Sequence, residues 1–224
     1  MSSMPLLIVR LLGCQDYHPV WQSMQAFTES RIDDTPDELW LCQHPPVFTQ
    51  GQAGDPAHLG ALGDIPLVKT DRGGQVTYHG PGQLVFYPLI QLNRHKLGVK
   101  AFVEKLEHIG MTLLAQAGIK VTRLAGQPGL YVEGKKIASL GLKIKRGCSY
   151  HGMAINIDMD LSPFNRITPC GLTGMQMTQW SNHAPVPDWS HICQQLTHLL
   201  QQSFNYSSLS IEAQEITWRC PTSP

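Results

Sequence analysis

Residues 71–88, which read Asp-Arg-Gly-Gly-Gln-Val-Thr-Tyr-His-Gly-Pro-Gly-Gln-Leu-Val-Phe-Tyr-Pro, constrain the fold more than any other part of the chain. Four glycines and Pro81 predict turns that alternate with short strands, because glycine adopts the positive φ angles that other residues resist. The polar side chains between these turns favour a ligand-binding loop, with strands at 65–70 and 84–90 on either side. The alternative is a glycine-rich hairpin whose polar groups only face water.

The composition is that of a globular chain with few charges. Hydrophobic residues make up 42% of the 224 residues and charged residues 15%, and 17 Lys and Arg balance 17 Asp and Glu. We therefore expect a single domain over 1–224, with a tail at about 203–224 whose pattern predicts no structure, and no general affinity for nucleic acid or membranes. The apolar run that ends at Arg10 is too short for a signal peptide or a membrane span, which favours a cytoplasmic location.

The six cysteines form no Cys-x-x-Cys pair and have no histidine at metal-ligand spacing. This pattern predicts free thiols in a reducing compartment, rather than a disulfide framework or a metal site.

Hydrophobic periodicity predicts a strand at 6–12, a helix around Val20 and Met24, and a strand at 38–43 that ends before Pro45. His44 follows that strand, and we expect local backbone groups to satisfy it. A helix is predicted over 99–117 with Gly118 as its C-terminal cap. Four antiparallel strands are predicted at 119–124, 129–133, 136–145 and 150–157, and a last helix after an N-cap at Asp188.

Lys136 opens the third of these four strands. Strict alternation gives Lys136 the parity of Ala138 and Leu140, so it would point inward and need an anion, a cleft or a route to water. Lys135, of opposite parity, would face the surface. The alternative is that Lys136 curls out to solvent at the end of the strand.

Cys170 lies between Pro169 and Gly171, a setting typical of an exposed loop thiol. A nearby ammonium would favour its thiolate, which is the nucleophilic form. The sequence does not place Lys136 beside it, and a structural cysteine is the alternative reading. Cys148 is the second candidate nucleophile, and His79 and His151 are possible bases or substrate contacts.

Four ordered motifs carry a resemblance to a known family: residues 71–83, Gly-Lys-Lys-Ile-Ala-Ser-Leu-Gly at 134–141, His-Gly-Met-Ala-Ile-Asn at 151–156, and Pro-Cys-Gly at 169–171. Together with residues 44–49 they resemble the lipoyl(octanoyl) transferase family, octanoyl-[acyl-carrier-protein]–protein N-octanoyltransferases, over about residues 5–200. The resemblance implies an α/β fold of the α+β type, with a mixed, mostly antiparallel sheet and packed helices, similar to the biotin and lipoate protein ligases.

The resemblance also implies an activity, namely transfer of an octanoyl group in protein lipoylation (lipoate biosynthesis). Octanoyl-acyl carrier protein would be the donor, and lipoyl domains of 2-oxoacid dehydrogenase complexes and the glycine cleavage H protein would be the acceptors. Cys170 would form an acyl-thioester and Lys136 would complete a cysteine–lysine dyad. No cofactor would be needed, because the incoming thioester is already activated.

The family's substrate-binding positions fall on three segments of this chain. By resemblance they are Arg72, Gly73, Gly74, Gln75, Val76, Thr77, Tyr78 and His79, then Ser139, Leu140 and Gly141, then Gly152, Met153 and Ala154. Met153 would be a flexible wall of the acyl tunnel, which leaves the preferred chain length open. Two alternatives stay open: an ATP-dependent lipoate or biotin ligase, and a non-catalytic acyl-binding module.

Overall fold

The computed structural model describes residues 6–168, 174–213 and 217–220, which form two β-sheets and three α-helices. The helices are α1 (Tyr17–Ser30), α2 (Val99–Gln116) and α3 (Trp189–Phe204). In spatial order the large sheet contains β11 (Ser208–Ala213), β1 (Leu6–Cys14), β2 (Asp37–Gln43), β6 (Gln83–Leu89), β10 (Cys148–Asn156), β9 (Lys135–Lys145), β8 (Gln127–Val132) and β7 (Thr122–Leu124). The small sheet has the order β4 (Leu67–Lys69), β3 (Val47–Gln50) and β5 (Val76–His79).

The large sheet is mixed and mostly antiparallel, as the resemblance implied. Strand β1 runs parallel to both of its neighbours, β11 and β2, and every other adjacent pair in that sheet is antiparallel. The second, three-stranded sheet was not predicted as a separate unit, although its strand β4 falls inside the predicted strand at 65–70.

Helices α2 and α3 cover one face of the large sheet and bury its main core. The predicted α2 is confirmed, because Phe102, Leu106 and Leu113 recur at helical spacing and are fully buried. Gly110 brings this helix close to the sheet, since a Cβ at Gly110 would lie 2.8 Å from Cδ1 of Leu130. Gly118 has φ of 77° just beyond the end of α2, as expected for a C-terminal cap.

Helix α1 packs on the opposite face of the large sheet. Its Val20 and Met24 contact a second core that includes Val85, Tyr87 and Ala154. This second face of the sheet also carries the pocket described below.

The two ends of the chain meet at β1. Part of the predicted tail forms β11, which lies parallel to β1, and the backbone N–H of Cys14 donates to the carbonyl of Thr217. A disulfide joins Cys14 to Cys220, 206 positions apart. The prediction of free thiols is therefore wrong for Cys14 and Cys220. The spacing of cysteines in the sequence does not reveal this pair, because the two residues meet only where the C-terminal segment runs beside β1. Cys42, Cys148 and Cys193 are free and buried.

The last helix, α3, begins directly after Asp188 as predicted. Asp188 is the N-cap residue of α3, although its side chain makes no capping hydrogen bond. None of the helices in the described ranges combines the length and the apolar character needed to cross a membrane.

Candidate active site

A pocket lies between the α1-side face of the large sheet and the small sheet with its glycine-rich loop. Strands β5, β6, β9 and β10, residues 72–75 and the start of α1 all contribute to its walls. The lining residues are Tyr17, Arg72, Gly74, Gln75, Val76, Thr77, His79, Val85, Tyr87, Ser139, Leu140, Gly141, His151, Gly152, Met153 and Ala154. Twelve of the fourteen predicted substrate-binding residues are thus brought together from three distant segments; Gly73 and Tyr78 are outside the lining.

The glycine-rich loop touches the large sheet closely. The N–H of Gly73 donates to the carbonyl of Leu142 over 2.8 Å, and the loop is held from its other side by Gln52, whose N–H donates to the carbonyl of Arg72. A Cβ at Gly141 would lie 3.0 Å from the Gly73 carbonyl oxygen. The motif's glycines therefore serve this close approach of loop and strand.

Arg72 is buried and braces the loop against β3. Its Nε donates to Oγ1 of Thr49 over 3.2 Å, its Nη2 donates to the Thr49 carbonyl, and its Nη1 donates to the Gly73 carbonyl over 3.0 Å. The guanidinium thus fixes the backbone of the pocket wall while its positive charge stays inside the site.

His79 lies fully within the pocket wall in its neutral form. Burial lowers the pKa of His79 to about 3, so it does not act as a base at neutral pH. Its Nδ1 lies 2.7 Å from Oε1 of Gln83, and the Gln83 amide nitrogen itself donates to Asn156, so Nδ1 carries the proton. The bare Nε2 then accepts from Thr49 Oγ1 at 3.3 Å.

His44 is satisfied by hydrogen bonds, but to Gln15 and Tyr87 rather than to the local backbone groups that were expected. Its Nδ1 donates to the carbonyl of Gln15 over 2.6 Å, and its Nε2 accepts from the Tyr87 hydroxyl at 2.8 Å. Burial lowers the pKa of His44 to about 4. This histidine supports the pocket wall through Tyr87.

Asp71 collects hydrogen bonds from two elements at the side of the pocket. Trp21 Nε1 and Gln25 Nε2 of α1 donate over 2.9 and 3.2 Å, His151 Nε2 donates over 2.9 Å, and the Tyr150 hydroxyl also donates. Burial opposes ionisation of Asp71, but these donors hold its pKa below the ordinary value. The carboxylate ties α1, β10 and the glycine-rich loop together.

Tyr150 and His151 are consecutive in β10, and both reach Asp71 because the strand breaks its alternation there. His151 has φ of 57°, so the regular alternation of side chains along β10 is interrupted at this residue. Burial lowers the pKa of His151, so its ring is neutral; Nε2 donates to Asp71 and Nδ1 accepts from Tyr17 at 3.4 Å.

Lys136 is 2% exposed and is not among the pocket-lining residues; the strand register places its side chain on the pocket side of the large sheet rather than on the core side. Strand β9 has one extra residue relative to β8: Leu130 pairs with Ala138, but Tyr131 pairs with Lys136. Ile137 and Ala138 both join the α2-side core, so Lys136 turns to the face of Ser139 and Gly141. The predicted parity of Lys136 is wrong because it assumed uninterrupted alternation; Lys135 is exposed as expected.

The chain that follows the Pro-Cys-Gly motif returns to Lys136. The Lys136 N–H donates to the carbonyl of Gln176, and the Thr178 N–H donates to the carbonyl of Lys136. Asn156 holds the same segment through a hydrogen bond to the Thr178 carbonyl. Cys170 itself belongs to residues 169–173, which lie outside the described residues.

Met153 is among the residues that line the pocket. Its side chain is fully buried in the α2-side core, where Sδ lies 3.1 Å from the position of a Cβ on Gly110. Leu140 pairs with Met153 and also packs against that core, whereas Ala154 joins the α1-side core. Met153 thus lies both at the pocket and in the core, and its role as a flexible wall of the acyl tunnel stays a prediction.

Sequence reasoning missed the aromatic side of the site. Tyr17 stacks on His79 with ring centroids 5.6 Å apart, and Trp21 donates to Asp71. Both lie in α1, four residues apart, so they share one face of that helix. Polar aromatic residues on an otherwise apolar helical face were the available signal.

Comparisons with known proteins show the family. Residues 16–201 match the family model of the lipoyl protein ligase A/B catalytic domain. An octanoyltransferase from Saccharophagus degradans is 59% identical over 179 residues, which cover 80% of this chain and 83% of that protein. An octanoyltransferase from Cellvibrio japonicus is 53% identical over 214 residues, which cover 95% of this chain and 100% of that protein.

Solved structures share the fold at low sequence identity. Lipoate-protein ligase A bound with ATP superposes with a TM-score of 0.77 at 13% identity, over 94% of this chain and 89% of its own. A bipartite lipoate protein ligase from Thermoplasma acidophilum gives a TM-score of 0.71 at 14% identity, over 97% and 88%. The fold implied by the resemblance is thereby confirmed.

Proposed function

Since the chain belongs to the octanoyltransferases of the lipoyl protein ligase A/B catalytic-domain family, and is thus an acyltransferase of protein lipoylation, we propose that it works through a Cys170 thioester assisted by Lys136. The donor in this proposal is octanoyl-acyl carrier protein. The acceptors are lysines of lipoyl domains in 2-oxoacid dehydrogenase complexes and of the glycine cleavage H protein.

The placement of the Lys136 ammonium carries the mechanism. It is buried on the pocket side of β9, over the Tyr131 ring at 5.4 Å, and the backbone of Lys136 pairs with the segment that follows Cys170. A positive charge next to a thiol favours the thiolate, so a cysteine brought to this ammonium would be a nucleophile near neutral pH.

In the first step the Cys170 thiolate attacks the octanoyl carbonyl of the donor thioester. The carrier thiolate leaves and takes a proton, and the octanoyl group stays on Cys170 as a new thioester. In the second step the neutral amine of the acceptor lysine attacks that carbonyl; the amide forms, Cys170 leaves as thiolate, and the amine loses its extra proton. A thiolate is a good nucleophile and a good leaving group, so both steps use the same atom.

The pocket supports the acyl half of this reaction. Apolar groups of Val85, Ala154 and the Tyr87 ring face the pocket, and burial of a seven-carbon tail there would contribute about 5 kcal/mol at about 0.8 kcal/mol per methylene. Backbone N–H groups of the glycine-rich turns are suited to stabilising the tetrahedral oxyanion.

Intact-mass analysis tests the intermediate. Exposure to octanoyl-acyl carrier protein without ATP should add one octanoyl group to the protein, and Cys170→Ser should abolish the adduct. Addition of an apo lipoyl domain should then discharge the adduct and yield octanoylated domain. A product that forms only with free octanoate and ATP would instead show an ATP-dependent ligase.

The lysine is tested separately. Lys136→Ala should slow the transfer about 100-fold or more and raise the pH at which Cys170 becomes reactive. Lys135→Ala is the matched control, because Lys135 is the exposed neighbour on the same strand. A pH profile of Cys170 alkylation that Lys136→Ala leaves unchanged would contradict the dyad.

A further inference from the structure

Gly129 leaves the space in which the Lys136 side chain lies. Gly129 of β8 pairs with Ser139 of β9, and a Cβ on it would lie 2.7 Å from Cε and 3.3 Å from Nζ of Lys136. The same Cβ would lie 2.3 Å from the Ala138 carbonyl oxygen. Two positions further along β8, the Tyr131 ring lies under the same ammonium. One strand therefore supplies both a gap and a wall for the lysine.

The gap depends on an unusual backbone conformation. Gly129 has φ of 129°, a region that residues with a Cβ rarely adopt. Glu107 of α2 holds this conformation, because its Oε1 accepts a hydrogen bond of 2.9 Å from the Gly129 N–H. Glu107 is 6% exposed, and its other oxygen lies 3.7 Å from Nη1 of Arg123.

The Glu107 carboxylate is buried on the α2 side of the large sheet. It faces the sheet from the core side, whereas the ammonium lies on the pocket side, so the Gly129 peptide transmits the constraint through the plane of the sheet. We propose that Glu107 and Gly129 are positioning residues that fix where the Lys136 ammonium lies on the pocket side of the sheet. This inference rests on the proposed function, in which that ammonium favours the Cys170 thiolate.

The experiment measures the alkylation rate of Cys170 by iodoacetamide against pH, resolved by peptide mass spectrometry. Lys136→Ala is the reference variant. In it, the pH midpoint of Cys170 alkylation should rise by about one pH unit or more. Gly129→Ala and Glu107→Ala should shift the midpoint in the same direction. The double variant Gly129→Ala with Lys136→Ala should shift no further than Lys136→Ala alone, because both substitutions act on one group.

Two controls separate positioning from a general loss of structure. Glu107→Gln keeps an oxygen that accepts from the Gly129 N–H, so it should restore the midpoint of the unmodified protein. Gly134→Ala introduces a side chain at φ of 79° with no atom within 4 Å of its Cβ, so it carries backbone strain without contacting Lys136. Gly134→Ala should lower the melting temperature and leave the midpoint unchanged.

The outcomes distinguish the positioning role of Glu107 and Gly129 from the cysteine–lysine dyad itself. Suppose that Lys136→Ala shifts the midpoint but folded Glu107→Ala and Gly129→Ala do not. This result would overturn the positioning role and leave the dyad intact. If Gly129→Ala fails to fold, Glu107→Ala against Glu107→Gln decides the matter. An unshifted Lys136→Ala would overturn the dyad and this inference together.

Discussion

Two aspartates, Asp37 and Asp71, each collect several donors, but the donors differ in charge. Asp37 is fully buried at the start of β2 and contacts Arg31, Arg94 and His95, together with the Tyr206 hydroxyl and the Gln91 N–H. Asp71, whose side chain is 25% exposed, contacts an indole, an amide, a phenol and a neutral imidazole.

The difference separates a structural charge from a charge at the site. Around Asp37 the arginines offset the carboxylate, and the cluster joins the end of α1, the chain after β6 and the residues after α3. Around Asp71 neutral donors leave the negative charge in place beside the pocket. We therefore expect loss of Asp37 to affect folding and loss of Asp71 to affect the acyl transfer.

Asp37→Asn should have the largest effect on stability. It leaves the buried Arg31 guanidinium without its carboxylate, and removal of one partner of a buried ion pair costs about 3–5 kcal/mol. Urea denaturation at pH 7 measures the free energy of unfolding. Asp71→Asn should cost less, about 1–3 kcal/mol, since it weakens hydrogen bonds to neutral donors. An equal loss in both variants would contradict the distinction.

Asp71→Asn should lower the rate of octanoyl transfer about tenfold or more while the protein stays folded. In asparagine one of the two acceptor oxygens becomes an NH2 donor, so the four donors now shared between Oδ1 and Oδ2 can no longer all be kept. Folded Asp37→Asn, assayed at a temperature below its unfolding transition, should transfer octanoyl at nearly the normal rate. The reverse ranking of the two rates would reject this assignment.

Acid should destabilise the protein through the same two carboxylates. Burial opposes ionisation of Asp37, but hydrogen bonds from His95, Gln91 and Arg31 lower its pKa, and the pKa of Asp71 is lowered as well. A lowered folded-state pKa gives stability that is complete above the unfolded value of about 3.9 and is lost as pH falls through the folded value. The free energy of unfolding should therefore drop below about pH 4.

Asp37→Asn should flatten that acid dependence, because one of the two carboxylates no longer takes up a proton on unfolding. Measurements of urea midpoints from pH 7 to pH 3 compare the variant with the unmodified chain. If the urea midpoint falls with pH equally steeply in both proteins, groups other than Asp37 cause the loss of stability in acid.

Glu29→Gln should have the smallest effect. Glu29 pairs with Lys145 on the surface, where a hydrogen bond from that lysine lowers the pKa of Glu29, and both side chains are largely exposed. Exposed pairs contribute little to stability because water and salt screen them. The urea midpoint and the transfer rate should both match those of the unmodified protein; a measurable loss in either would show that a charge outside the two aspartate clusters matters.

Periodic patterns predicted the elements whose cause is local. Helix α2, the strands that became β7 to β10 and the turn at Gly134 follow from residue spacing and glycine conformation. The path of the last residues beside β1 and the disulfide from Cys14 to Cys220 depend on contacts between distant segments, so no window of sequence contains them.

Within the site, the motifs predicted which segments meet but not how each side chain points. The core into which the Met153 side chain packs was not predicted, because both faces of β10 are buried and burial alone gives no direction. Tyr150 and His151 share a partner because the positive φ of His151 interrupts the alternation of β10, which the sequence pattern did not indicate. Roles for Cys170 and Lys136 stay predictions until the mass and alkylation measurements are made.

The extra residue in β9 has a consequence for anyone who would graft this strand into another scaffold. Ile137 and Ala138 share a face only because β8 supplies one residue where β9 supplies two. If β9 were paired with a strand that has no such irregularity, the Lys136 amine would point into the α2-side core. Lys135 would then lie on the pocket side of the sheet. β8 and β9 must therefore be transferred together, because the pairing of the two strands determines on which face the Lys136 amine lies.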